Sequence, residues 1–461
     1  MRYISTRGTA PPLDFTAAAL AGLAADGGLY VPESWPKIAE DELRTWRGLP
    51  YRAVAFKVLR LLAGAAMPEA DLQRMIDRGL EHFTAPDITP LKQIDDRLWV
   101  LELFHGPTLA FKDLALQFLG QMFDDRLRQS GRRATVIGAT SGDTGSAAMA
   151  GCAGCNNLDV FILYPHNRPS EIQRRQMTTV AAPNVHALAI EGSFDDCQAI
   201  VKTMFNDPAL RSALNLMAVN SINWARIAAQ IVYYFFAALR LGAPDKAPSF
   251  VVPTGNFGNI LAGFAATQMG LPIAKLAAAT NANNAVHRFF TTGAIVPADV
   301  QPTLSPSMDI QVPSNLERLL FTLTGQDGAA VRRIMTAHNL QVSPFGLGQA
   351  RQYFTSTAID DSETLATIQK TYADSHYLLD PHSAVGVAAA RRLAHELPDP
   401  VICLACAHPA KFPETAARAT GHNPDLPPMI AMLYNRPERL TILSPDPAKI
   451  IDFIRNFSSI T

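Results

Sequence analysis

The residue pattern predicts an α/β fold, with two parallel-sheet lobes covered by helices and a mainly helical segment ahead of them. Three observations carry this reading. From Leu98 onward, short apolar runs alternate with amphipathic or small-residue stretches of helical length. Across residues 1–95 the apolar positions instead fall at helical spacing, as with Leu72, Met75, Ile76, Leu80 and Phe83 after Pro68. A chain of 461 residues also exceeds what one core requires. The expected divisions are 1–95, 96–240 and 241–461.

In the first segment, GLAADGGLYVPESWP interrupts the helices with a Gly-Gly turn and a short β run. The strands expected after it are 98–104, 134–140, 159–164, 185–190, 249–253, 274–279 and 401–406, with helices between them. The proline-containing stretches 297–313 and 423–428 read as loops. The tail reads as one more strand (LTILS) and a helix whose stripe is Ile450, Phe453 and Ile454.

Composition narrows the function classes. Hydrophobic residues make up 48% and charged residues 18%, ordinary globular usage, and the net charge of -1 gives no field that would draw nucleic acid or an anionic membrane. The greasiest stretch, Ile227 to Leu241, is broken by Gln230 and falls short of the roughly 20 residues of a membrane span. With no apolar signal core at the start, a cytoplasmic protein is expected. The five cysteines include the pairs Cys152/Cys155 and Cys403/Cys406, but these lie in a small-residue helix and an apolar strand. Buried small side chains are therefore expected there, with no metal and no disulfide framework.

Three constellations carry chemistry. In FHGPTLAFKDLALQFLGQMF, the residues Phe111, Leu114, Ala115, Phe118, Leu119, Met122 and Phe123 form a core-facing stripe. Lys112 lies off that stripe in the first turns of the helix, at the end of a strand where open α/β sheets place ligands. An amine there can form a Schiff base, although a lone helical lysine is more often an ordinary surface charge.

The second constellation, ATVIGATSGDTGSAAMAG, reads as strand, turn and small-residue helix. Its helix start is suited to an anion: Ser141, Thr144 and the amides near Gly142 and Gly145 are placed to hold a carboxylate. A plain capped helix start is the competing reading. The third, SFVVPTGNFGNILAGFAA, repeats the arrangement with Thr254, Gly255, Asn256, Phe257, Gly258 and Asn259 in the turn, where glycines let amides approach a phosphate. Neither turn matches G-x-G-x-x-G or a P-loop, which argues against NAD or ATP. Two anion-ready turns and a lysine suit an amino acid joined to a phosphorylated aldehyde cofactor.

At these residues the chain resembles the threonine synthases, fold type II pyridoxal-phosphate enzymes that convert O-phosphohomoserine to threonine. The resemblance runs through YISTRG, DGGLYVPE, FHGPTLAFKD, TSGDTG, NSINWARI, PTGNFGN, LDPHSAVG and AHPAKF, and so covers almost the whole chain. It is to the longer, fungal and enterobacterial-like branch. It implies that pyridoxal 5'-phosphate is bound to Lys112, with its phosphate in the Thr254–Asn259 turn. It implies further that Ser141, Gly142 and Thr144 receive the substrate carboxylate, that Asp143 lies near the phenolic oxygen, and that Thr108 contacts substrate. Cys406 stands where the family usually has Thr or Ser as partner of the pyridine nitrogen, and a thiol is a weaker donor. Asn223, Arg226 and Lys411 are candidates for the substrate phosphate, each with a structural alternative. His105, His382 and His408 flank the motifs and are candidates to orient loops, although a satisfied structural histidine is the more frequent case for any one of them.

The expected partner is the small molecule O-phosphohomoserine, in a monomer or homodimer. Two other outcomes fit the same motifs: a related phospho-lyase that releases 2-oxobutyrate and ammonia, and a non-catalytic binding module, against which the intact lysine and both turns speak.

Overall fold

Strand pairing in the computed structural model, which describes residues 1–296, 298–337 and 340–460, joins segments far apart in sequence. Two compact units result. Pro297, at the start of the expected 297–313 loop, lies outside the described residues, as do His338, Asn339 and Thr461.

The first unit comprises residues 1–73, 84–105 and 221–424. Its sheet runs, in spatial order, Phe354–Ala358, Lys275–Thr280, Ser249–Pro253, Val401–Ala405, Leu98–Glu102 and Leu91–Gln93. The first five strands are parallel and the last is antiparallel. The inner strands are buried on both faces, which is why they read as continuous apolar runs without alternation. The greasy stretch noted in the sequence forms the helix Trp224–Arg240, buried from Trp224 to Leu239. A helix apolar all round belongs inside a protein core as readily as in a membrane. Among the described residues no helix is long and apolar enough to cross a membrane.

The N-terminal segment brings the helices Phe15–Ala21, Glu40–Trp46 and Tyr51–Ala63 and one small hairpin, Tyr3–Ser5 against Tyr30–Pro32. Tyr3 donates its hydroxyl to Leu62 O at 2.7 Å. Glu317 accepts from Arg7 through both oxygens at 3.1 Å and from the Thr6 hydroxyl at 2.6 Å.

The second unit comprises residues 74–83, 106–220 and 425–461. Its sheet is wholly parallel, in the order Thr441–Leu443, Val185–Ile190, Leu158–Pro165, Ala134–Ala139 and Leu216–Met217. The tail helix Pro447–Phe457 buries Ile450 and Ile454 against Ile137, Phe161, Leu188 and Ile200. These pairings cross the division at 240/241: Leu98–Glu102 joins Val401–Ala405, and Thr441–Leu443 joins Val185–Ile190. Chain order alone does not reveal such returns.

Two helices of the second unit pack closely for a stated reason. A Cβ at Gly120 would stand 2.1 Å from Gly151 O, and one at Gly151 would stand 2.4 Å from Leu116 O. Only glycine at both positions lets Asp113–Gln129 and Asp143–Cys152 lie this near. The five cysteines are free thiols and buried; burial pushes Cys155 up to about 12.

Candidate functional site

In the second unit, the close helix pair sets two helix starts side by side. Lys112 immediately precedes the helix Asp113–Gln129 and occupies its N-cap, rather than lying in the first turns as expected. The preceding turn, with Leu109 at φ 56°, displaces the helix start. Lys112 Nζ stands 3.6 Å from Asp143 Oδ2, and both side chains are largely buried. Asp143 Oδ1 accepts from Gln173 Nε2 at 2.9 Å.

The HGPT turn is held by a carboxylate that the motif reading passed over. Asp113, fully buried, accepts from Thr108 N and Thr108 Oγ1, both at 2.8 Å, and from Gln117 Nε2 at 3.2 Å. The Thr108 hydroxyl, expected to face substrate, thus donates to Asp113, while Thr108 O accepts from Gln176 Nε2 at 2.9 Å. A Cβ at Gly106 would lie 2.5 Å from Asp113 Cβ.

The Ser141–Thr144 turn differs from expectation in its amides. Gly142 N and Gly145 N both donate to Thr140 Oγ1, at 3.0 and 2.9 Å, so these two are engaged within the turn. The helix begins at Asp143, and the early amides of a helix, here those of Asp143 and Thr144, have no intrahelical acceptor. Ser141 is exposed and Thr144 half-buried. Gly142 has φ 150°, and a Cβ on it would meet the Gln173 carboxamide at 2.6 Å.

In the first unit, strand Ser249–Pro253 leads through the second turn into the helix Gly258–Gln268. Thr254 closes the strand, with N donating to Ala279 O at 2.8 Å and Oγ1 to Val252 O at 2.6 Å. Gly255 passes beneath Ser307 and Met308; a Cβ there would lie 2.7 Å from Ser307 O. Asn256 O accepts from both N and Nδ2 of Asn315 at 3.1 Å. Phe257 is left-handed at φ 64°, and its ring is buried beside Phe290 and Phe354 at centroid separations of 6.1 and 5.8 Å. The ring is therefore a core anchor, and only the backbone of Phe257 faces the turn.

Asn259 gives the clearest test of fit for a phosphorylated cofactor. Its Oδ1 lies 2.5 and 3.0 Å from the hydroxyls of Tyr233 and Tyr234, which can donate to it. Its Nδ2 is buried with no hydrogen-bond partner within the protein. A buried donor without an acceptor costs roughly 1–3 kcal/mol, and a phosphate oxygen on the glycine-rich turn would remove that cost. The residues present fit the group.

The remaining candidates also lie in the first unit. Cys406 follows strand Val401–Ala405; its amide donates to Ser383 Oγ at 3.1 Å and its thiol to Leu404 O at 3.7 Å. Asn223 is fully buried: Nδ2 donates to Ala19 O at 2.8 Å and Oδ1 caps Ala225 N at 3.0 Å. Both ends of its carboxamide hold structure, so the expected phosphate donor is a helix cap. Arg226 is buried on the same helix, and burial pulls its guanidinium down to about 10. Lys411 is fully buried in the short helical turn Pro409–Lys411.

The flanking histidines do orient loops. His408 Nδ1 accepts from Ala410 N at 3.1 Å; burial, and next the proximity of His105, push His408 down to about 4. His382 Nδ1 pairs with Asp380 Oδ1 at 2.8 Å, and its Nε2 accepts from Ser307 N at 3.2 Å, beside Gly255. His105 Nε2 lies 2.8 Å from Glu102 Oε2.

Arg318 was also missed. It is buried, donates to Tyr30 O and Ile222 O at 3.0 and 2.6 Å and to Asn315 Oδ1, and thereby braces the residue that grips Asn256. No local signal marks Arg318, whereas Asp113 in a first helical turn and the Ser170–Gln173 spacing of a capping box are legible.

Comparison with known proteins defines the family. The family model described as "Pyridoxal-phosphate dependent enzyme" matches residues 83–407, which defines the class: a pyridoxal-phosphate-dependent enzyme of fold type II. Models for "Threonine synthase N terminus" and "Threonine synthase, C-terminal" match residues 2–80 and 383–454. A threonine synthase of Pseudomonas aeruginosa is 50% identical over 98% of each chain. A crystal structure of pyridoxal-phosphate-bound threonine synthase from Brucella melitensis superposes with a TM-score of 0.97 at 49% identity, covering all of both chains. That of the yeast enzyme gives 0.93 at 41%, covering 99% and 98%. The chain belongs to the threonine synthase family.

Proposed function

We propose that the chain converts O-phospho-L-homoserine and water to L-threonine and phosphate, as the last step of threonine formation. The observation that carries the site assignment is the placement of the Lys112 amine 3.6 Å from the Asp143 carboxylate at two adjoining helix starts. Pyridoxal phosphate, when bound, supplies an aromatic ring that accepts electrons from the substrate carbons.

The residues that would hold it are Lys112, Asp143, the Thr254–Asn259 turn and Cys406. Asn259 Nδ2 and the turn amides supply donors for a dianion, and Cys406 a neutral partner for a ring nitrogen. The amides of Asp143 and Thr144, with the Ser141 and Thr144 hydroxyls, receive the substrate carboxylate. Arg226 and Lys411 supply positive charge for the substrate phosphate, for which a buried guanidinium suits bidentate binding. Once free, the Lys112 amine takes the proton from Cα and exchanges protons at Cβ. Phosphate leaves Cγ, which gains a proton to become the methyl group, water adds its hydroxyl at Cβ, and Cα regains its proton.

As a division of labour, residues 1–95 form a mainly helical domain, 96–240 carry the lysine and carboxylate turn, and 241–461 carry the phosphate turn. The protein acts in the cytoplasm as a monomer or homodimer. Incubating purified protein with O-phosphohomoserine while following phosphate, threonine and 2-oxobutyrate tests the reading. Threonine in step with phosphate is expected; 2-oxobutyrate in its place would mean a phospho-lyase.

A further inference from the structure

Gln173 lies outside the strings that carry the family resemblance, yet it bonds directly to the acid beside the Lys112 amine. Its Nε2 donates to Asp143 Oδ1 at 2.9 Å, leaving Oδ2 turned toward Lys112 Nζ. Its own orientation is fixed from the other side. Gln173 Oε1 accepts from Ser170 N at 3.2 Å and Gln173 N donates to Ser170 Oγ at 3.3 Å, the reciprocal bonds of a capping box at the helix Glu171–Thr178. The side chain is buried, and Gly142, with no Cβ, leaves the 2.6 Å of space its carboxamide occupies.

We infer that Gln173 is a positioning residue for the reaction, which aims the Asp143 carboxylate at the Lys112 amine through the cap of the Glu171–Thr178 helix. The inference rests on the pyridoxal-phosphate reading given above. A carboxylate with one oxygen tied to a rigid donor presents the other in a single direction. Without that bond it rotates, and its interaction with the amine is averaged.

Charged groups on the adjoining helices have partners of their own. Lys112 and Asp113 face from the helix Asp113–Gln129, and Asp113 is itself tied to Thr108 and Gln117. On the helix of Gln173, Arg174 and Arg175 are turned to Glu438, at 2.9 and 3.8 Å, and Glu171 is paired with Arg175 at 3.0 Å.

The test uses coenzyme-loaded full chains: wild type, Gln173→Leu, Gln173→Glu and, as a control for the cap alone, Ser170→Ala. In Gln173→Leu, kcat is expected to fall about ten- to a hundredfold with KM within about threefold, as for loss of a bond to a charged group. The absorbance band of the bound coenzyme, and the pH at which it changes, should shift. Gln173→Glu, nearly isosteric, opposes two carboxyls; its activity should be lost near pH 8 and partly return near pH 6, where the pair shares a proton. Ser170→Ala should lower the melting temperature and leave the band in place. Gln173 variants that load coenzyme and keep the wild-type band and pH profile would overturn the inference alone, as would a Ser170→Ala variant that reproduces their shift. A wild-type chain that takes up no coenzyme would overturn the functional reading and this inference together.

Discussion

The lysine end of the second unit and the phosphate turn of the first are both strand-turn-helix junctions, yet they are held by opposite means. Around Lys112 the holding groups are ionisable side chains and their donors: Asp113 fastens Thr108, and Asp143 lies between Lys112 and Gln173. Around Thr254–Asn259 they are neutral, with tyrosine hydroxyls on Asn259, the Asn315 carboxamide on Asn256 and an aromatic anchor under Phe257. Where the proposed function has protons move, the protein uses ionisable groups. Where that proposal has a permanent anion rest, it uses fixed dipoles, which cost no reorganisation.

The largest effect should come from the lysine end. Lys112→Ala is expected to lower turnover by at least about a thousandfold and to abolish the coenzyme's visible band, while circular dichroism stays that of the wild type. Retained activity would break the comparison outright.

Asp113→Asn keeps the shape but removes the charge that Thr108 and Gln117 address. Bonds to a buried charge are worth about 1.5–3 kcal/mol, so kcat/KM should drop about ten- to a hundredfold and the melting temperature should fall in thermal scans. No change in either would mean that neutral dipoles suffice at this end too.

At the phosphate turn, Asn259→Asp exchanges the buried donor for a negative charge and should weaken coenzyme affinity more than Asn259→Ala does. About tenfold is expected for Ala, measured by titrating apoprotein, with the pH profile of the loaded enzyme unmoved. A shifted profile would blur the distinction drawn here.

The smallest effect belongs to His408. Its folded value of about 4 lies below the roughly 6.5 of an unfolded chain, so the unfolded state binds the proton more readily. Its contribution to stability is complete above about pH 6.5 and is lost as pH falls toward 4. Melting temperatures of His408→Asn should therefore decline less steeply over that interval than those of the wild type.

The sequence made the junctions legible because each is local. Strands 185–190 and 249–253 stand where their apolar runs end, and the helix after the second turn begins at Gly258. What it concealed was partnership across distance. The carboxamide of Asn223 reads equally as phosphate donor or helix cap, and only its bond to Ala19 O decides. Phe257 looked like a turn residue until Phe290 and Phe354 supplied its ring with neighbours. Likewise, the amides of Gly142 and Gly145 were anion donors until Thr140 claimed them, a bond that only the turn's own closure creates.

The pairing of Thr441–Leu443 with Val185–Ile190 has a consequence for biosynthesis. Translation delivers Lys112 long before Thr441–Leu443, the outermost strand of the sheet in the same unit. Until then Val185–Ile190 is a bare edge, open to pairing with another nascent chain. Completion of this sheet is thereby tied to the synthesis of residues 441–443.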